Sequence, residues 1–243
     1  MKTVNLYVDE IKSFNKPLII LGFQGVGLVG TIAAQYLAAN MKMDKVGYIS
    51  SPELPPLALL IEGEIVHPIR IYSNKARDII IIESELPIQQ KLSYQISDEI
   101  INFAKKVKAR EILCLEGIAS LDGDEISDVY FMRTNEAKFK GKVRELKNGI
   151  IIGLSASVML KSLETKVLAT CLMAESRSDM PDGVAAAAVL DKFKDLYGLT
   201  VDTGSLKKQA VDFEKKLGRV LKEAGKFANN TGIKPPSQEA IYG

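Results

Sequence analysis

Six short, unbroken apolar runs constrain this chain more than anything else in it: residues 18–21, 46–49, 79–82, 112–115, 150–152 and 167–173. A strand with one wetted face alternates apolar and polar side chains. A run without alternation therefore predicts a strand covered on both faces, as in a mainly parallel sheet between two helix layers. Helical periodicity falls between the runs. Residues 28–41 follow the first, and Leu92, Ile96, Ile100, Phe103 and Val107 stripe the stretch between the third and fourth. Another helix is expected from about Asp182 to Gly198, a residue whose missing Cβ suits the left-handed cap. Strand and helix alternating in this way predict an α/β fold.

One segment breaks the pattern. Residues 57–61, then Glu62-Gly63-Glu64, then residues 65–72 read as a hairpin with Gly63 in its turn. Pro68 lacks an N–H for the ladder, so the second strand is expected at an edge or with a bulge, and the sheet is expected to be mixed. His67, beside that proline, reads as a half-buried sheet residue.

From residue 206 onward Leu206, Ala210, Phe213, Leu217, Val220, Ala224 and Phe227 recur at alternating spacings of four and three. This is a narrow helical seam, with Ser205 placed to cap its start. Phe213, Leu217 and Val220 are the candidate contacts if it pairs with another subunit; otherwise the helix docks on its own domain. The expected organisation is an α/β core over 1–204, a C-terminal helix over 205–228 and a flexible tail over 229–243, where Asn, Gly and Pro residues stop the helix.

Composition narrows the function. There are 32 basic and 30 acidic residues, interspersed, for a net charge of +2, which argues against a dedicated nucleic-acid or membrane-surface protein. One histidine, two cysteines (Cys114 and Cys171) and no tryptophan leave too few ligands for a zinc cage. The two cysteines fit a reducing cytoplasm as small buried hydrophobes. No apolar run approaches the 18 or so residues a membrane span needs.

Gly25-Val26-Gly27-Leu28-Val29-Gly30 matches the G-x-G-x-x-G spacing between a strand and a helix, where backbone amides can cradle a phosphate. Its supporting acid would have to be Glu53, in an unusual Ser-Pro-Glu-Leu-Pro-Pro context. The alternative is purely structural: Gly22, Gly25 and Gly27 build a tight turn, and Gly30 lets the helix approach the sheet. Gly153-Leu154-Ser155-Ala156-Ser157 resembles a nucleophile elbow, but the last position is serine and no histidine follows it. Ser155 is expected as a helix N-cap. Acidic residues from Asp122 to Asp128 read as an exposed loop, since position 126 is Ile where a calcium loop takes Asp or Asn. The loops at 22–27, 50–56, 83–89 and 175–183 fall where parallel strands end, the usual ligand edge. No acid-base pair emerges among them.

Gly22-Phe23-Gln24-Gly25-Val26-Gly27-Leu28-Val29-Gly30, Leu54-Pro55-Pro56, Pro68-Ile69-Arg70-Ile71-Tyr72, Glu85-Leu86-Pro87-Ile88, Gly153-Leu154-Ser155, Ala174-Glu175, Pro181-Asp182 with Ala185-Ala186, and Leu199-Thr200-Val201-Asp202 follow in that order. Together they resemble the proteasome assembly chaperone type 2 family, especially its archaeal members, over roughly residues 16 to 215. The resemblance implies a three-layer α/β/α fold of the phosphorylase or hydrolase type, a homo-oligomer, no cofactor and no catalysis. It also implies that the glycine segment is a signature of the fold. Ile241-Tyr242-Gly243 is similar to the hydrophobic-Tyr-X tail by which proteasome activators dock on the 20S α-subunits. A terminal carboxylate, a tyrosine ring and an aliphatic side chain suit such a pocket. About fifteen tail residues reach at most about 50 Å when extended, and several tails on one oligomer would raise affinity roughly 10² to 10⁴ fold. The expected function is an ATP-independent chaperone or adaptor of the 20S proteasome. The alternative is a nucleotide- or nucleoside-binding enzyme that uses the glycine loop.

Overall fold

The structure is a computed structural model that describes residues 3–61, 63–119, 128–134, 143–176 and 180–210. Its strands are β1 Asn5–Val8, β2 Leu18–Gly22, β3 Asp44–Ser50, β4 Leu59–Ile61, β5 Glu64–Val66, β6 Ile69–Ser73, β7 Ile79–Ser84, β8 Glu111–Ala119, β9 Val129–Arg133, β10 Arg144–Glu145 and β11 Ala169–Ser176. The helices are α1 Val29–Asn40, α2 Gln90–Lys106, α3 Gly153–Thr165, α4 Gly183–Asp191 and α5 Phe193–Tyr197. A further helix begins over 204–210.

Nine strands form one mixed sheet in the order β1-β3-β6-β7-β2-β8-β11-β9-β10. Its centre, β7-β2-β8-β11, is parallel, and antiparallel strands flank it. Every residue of β2 and β7 is buried, which is why these segments carry no polar alternation. The two-residue period of a strand sorts them into two cores. Ile19, Leu21, Ile80, Ile82 and Ile112 pack with Ile96, Ile100 and Val158 of α2 and α3. Leu18, Ile20, Ile79, Ile81 and Leu113 pack with Ala33, Leu37, Val189 and Phe193 of α1, α4 and α5. The chain is thus a three-layer α/β/α structure. Each buried Leu or Ile contributes about 1.5–3 kcal/mol of apolar transfer, so these central strands dominate the stabilising side.

Asp182 caps α4 by accepting from the Ala185 N–H at 2.8 Å, and Gly198 ends α5 at φ +71°. Three expectations are corrected. The run over 65–72 is not one hairpin strand at an edge. Pro68 splits it into β5, paired only with β4 about a turn where Gly63 has φ +86°, and β6, an interior strand between β3 and β7. His67, in the break, is exposed and stacks on Tyr48 with ring centroids 3.8 Å apart. Residues 150–152 form no strand; they lead into α3, with Ile150 and Ile152 exposed.

Candidate functional site

The carboxyl ends of β2 and β8 bring the glycine segment against Glu116 and the first turn of α3. After Gly22 the chain takes an extended step at Gly25, makes a single turn over Val26–Leu28 and enters α1. Gly27 sits at φ +60° inside that turn, and a Cβ on it would stand 1.9 Å from Ser176 Oγ. Side chains would collide at the other three glycines as well. A Cβ on Gly22 would meet Ala34 at 2.1 Å, on Gly25 would meet Glu116 Oε2 at 2.3 Å, and on Gly30 would meet the Leu115 carbonyl oxygen at 2.2 Å. The loop is tied down by the Asp182 N–H, which donates to the Gly27 carbonyl at 2.8 Å, while Ser176 Oγ donates to Asp182 Oδ2 at 3.0 Å.

Glu116 is the chemically unusual group of this edge. It lies near the end of β8, is 8 % exposed, and its Oε1 accepts from Ser155 Oγ at 2.5 Å. Burial pushes its pKa up to about 8, against the lowering effect of the Ser155 hydroxyl and the Gly117 N–H. The carboxyl group is therefore largely protonated at neutral pH. Ser155 is not the N-cap of α3, a correction to the sequence reading: Ile152 holds that position without a side-chain bond, and Ser155 lies in the first turn. A cavity of about 450 Å³ opens here, walled by Val26, Ile118, Ile151, Ile152 and Met173.

This geometry does not suit a dinucleotide. The acid of that fingerprint should close the strand beside β2, but β3 is separated from β2 by β6 and β7. Glu53, beyond β3, instead pairs with Lys91 at 3.5 Å. Glu116 Oε2 stands 2.3 Å from where a Gly25 Cβ would be, so a carboxyl group flanks the loop that would have to receive a phosphate. Cys114 and Cys171 are direct neighbours across β8 and β11, free and buried, and burial pushes the Cys114 thiol up to about 12, so neither is a ready nucleophile. Among the described residues no group of three His, Cys, Asp or Glu could hold a metal, and no helix is long and apolar enough to cross a membrane.

Leu206 and Ala210 pack at the start of the last helix, with Ala210 Cβ 2.7 Å from where a Gly183 Cβ would be. The remainder of the predicted seam, Phe213, Leu217 and Val220, and the tail residues Ile241, Tyr242 and Gly243 lie outside the described residues. So does most of the acidic loop; Asp128 is described and pairs with Arg144 at 2.7 Å. Sequence reasoning passed over Glu116 and gave no role to Arg70 or Glu83. The available signal was a charged residue inside or at the end of an unbroken apolar strand, a placement that buries charge unless it is paired.

A family model described as the PAC2 family matches residues 19–221. The chain is similar to the crystal structure of Pyrococcus furiosus PbaA, described as an archaeal homolog of proteasome-assembly chaperone, with 31 % identity and a TM-score of 0.85 over 99 % of this chain and 100 % of that one. P. furiosus PbaB, described as an archaeal proteasome activator, is 24 % identical with a TM-score of 0.79, covering 90 % of this chain and 99 % of that one. A Methanocaldococcus jannaschii relative, the uncharacterized protein MJ0106, is 24 % identical over 218 residues, 89 % of this chain and 91 % of its own.

Proposed function

The chain belongs to the PAC2 family, and from that premise we propose that it is a homo-oligomeric proteasome-assembly chaperone or adaptor that binds the 20S α-ring through its C-terminal tail. One observation carries the reading: likeness along almost the whole chain to a protein described as an archaeal homolog of proteasome-assembly chaperone. The site geometry is consistent with it, because close packing against Ala34, Glu116, Ser176 and Leu115 already requires these glycines, as a turn that serves the fold would.

Ile241, Tyr242 and Gly243 supply the anchor in this proposal. The terminal carboxylate pairs with a basic group, the tyrosine ring enters an apolar slot, and the isoleucine adds buried area. A three-residue anchor is weak alone and gains from repetition on an oligomer. Self-association has physical support in the β4–β5 ribbon, where Leu60 and Ile65 are cross-strand partners and each is 76 % exposed. The test is a pull-down of endogenous partners with the full chain and with a chain lacking the last three residues. Proteasome α-subunits should be recovered only with the full chain; equal recovery with both would refute the tail mechanism.

A further inference from the structure

Arg70, Glu83 and Glu85 form a charged node on the sheet face that carries α1. Arg70 on β6 and Glu83 on β7 stand opposite each other in the antiparallel register, and each side chain is 2 % exposed. Arg70 Nη2 donates to Glu83 Oε1 at 2.6 Å and also to Glu85 Oε1. Arg70 Nε reaches Tyr72 Oη at 2.8 Å and Glu83 Oε1 at 3.2 Å, and Gln35 Nε2 donates to Glu85 Oε1 at 2.6 Å. All these bonds to carboxylates converge on Oε1 atoms. The Oε2 atoms of Glu83 and Glu85 are buried with no hydrogen-bond partner, as is Arg70 Nη1.

Two carboxylates on one guanidinium leave one negative charge and two acceptors unused. Burying such atoms is unfavourable unless something meets them. Burial raises the pKa of Glu83 against the lowering effects of Arg70 and Gln35. Beside it lies an open cavity of about 370 Å³ that both glutamates line, with Ala38, Ala39, Met43 and Ile61 as its apolar wall.

We propose that this cavity binds an aliphatic primary ammonium group, which donates to Glu83 Oε2 and Glu85 Oε2 while its carbon chain lies along the apolar wall. The charge matches: one ammonium neutralises the node, whereas a divalent ion would leave it positive beside Arg70. A quaternary ammonium carries no N–H to donate. Glu85, with 35 % of its side chain exposed, is the more accessible of the two carboxylates to an entering ligand. Lys42 lines the same cavity and competes as the chain's own ammonium.

Calorimetric titration of the full chain with n-butylamine, Nα-acetyl-lysine methylamide and tetramethylammonium tests the assignment. Both primary amines should bind saturably and tetramethylammonium should not. Glu85→Gln should weaken amine binding by at least about tenfold, since the partner charge is lost, and Lys42→Met should strengthen it. Tighter binding of the lysine analogue would point to a side chain presented by a neighbouring protein, and tighter binding of butylamine to a free amine. If Glu85→Gln fails to fold by circular dichroism, amide chemical-shift changes confined to Arg70, Tyr72, Glu83 and Glu85 on adding butylamine to the native chain serve in its place. No saturable binding of either amine, equal binding of tetramethylammonium, unchanged affinity in a folded Glu85→Gln, or shifts that spare the node would each overturn the proposal.

Discussion

Helix α1 touches strand β8 through bare backbone: a Cβ on Gly30 would stand 2.2 Å from the carbonyl oxygen of Leu115. Neither partner can yield by turning a side chain. Gly30→Ala should therefore push α1 off the sheet and lower stability by about 3 kcal/mol, in the range of overpacked cores. Gly63→Ala has open space around it and only a strained φ to oppose it, and should lose about 1 kcal/mol. Urea midpoints of the two variants make the comparison.

The buried carboxyl group of Glu116 should be visible in the pH dependence of stability. Its ordinary value is 4.5 and its value in the folded chain is about 8. Between those limits the folded chain keeps a proton that the unfolded chain has lost, so stability falls as pH rises through the window and levels off above it. The slope from this one group is at most about 1.4 kcal/mol per pH unit. Glu116→Gln should lack the slope, so that its stability relative to the natural chain improves from pH 5 to pH 8.5 in denaturant titrations.

Removing Arg70 alone should be far worse than removing the pair. Arg70→Met leaves Glu83 buried without its guanidinium and should lower stability by about 3–5 kcal/mol. Arg70→Met with Glu83→Gln should recover a large part of that loss. A double-mutant cycle by chemical denaturation gives the coupling, and additive losses would contradict the pairing.

Asp182 joins two elements at once, capping α4 and holding the glycine loop. Asp182→Ala should lower the thermal midpoint, with a loss of about 1–2 kcal/mol for the missing cap and the lost Ser176–Asp182 hydrogen bond.

Much of this architecture was legible because unbroken aliphatic runs have few places to go. The segments that became β2, β3, β7, β8 and β11 read directly from those runs, and the stripe of Leu92, Ile96 and Ile100 marked α2. Residues 5–8 and 129–133 were missed because their strands are only partly buried and mix polar with apolar side chains. Residues 150–152 misled because three isoleucines in a row resemble a buried strand, while two of them face solvent. At the site, the glycine spacing was visible but its meaning was not. What stands against Gly25 is Glu116, some ninety residues later in the chain. The Arg70 node was equally hidden, since the register of β6 on β7 decides which charges meet.

Native gels or gel filtration of purified 20S particles with the full chain test the role of Tyr242 most directly. The natural chain should co-migrate with the particle, and Tyr242→Ala should not, while light scattering finds the same molar mass for both free proteins. Co-migration of Tyr242→Ala equal to that of the natural chain would contradict the account.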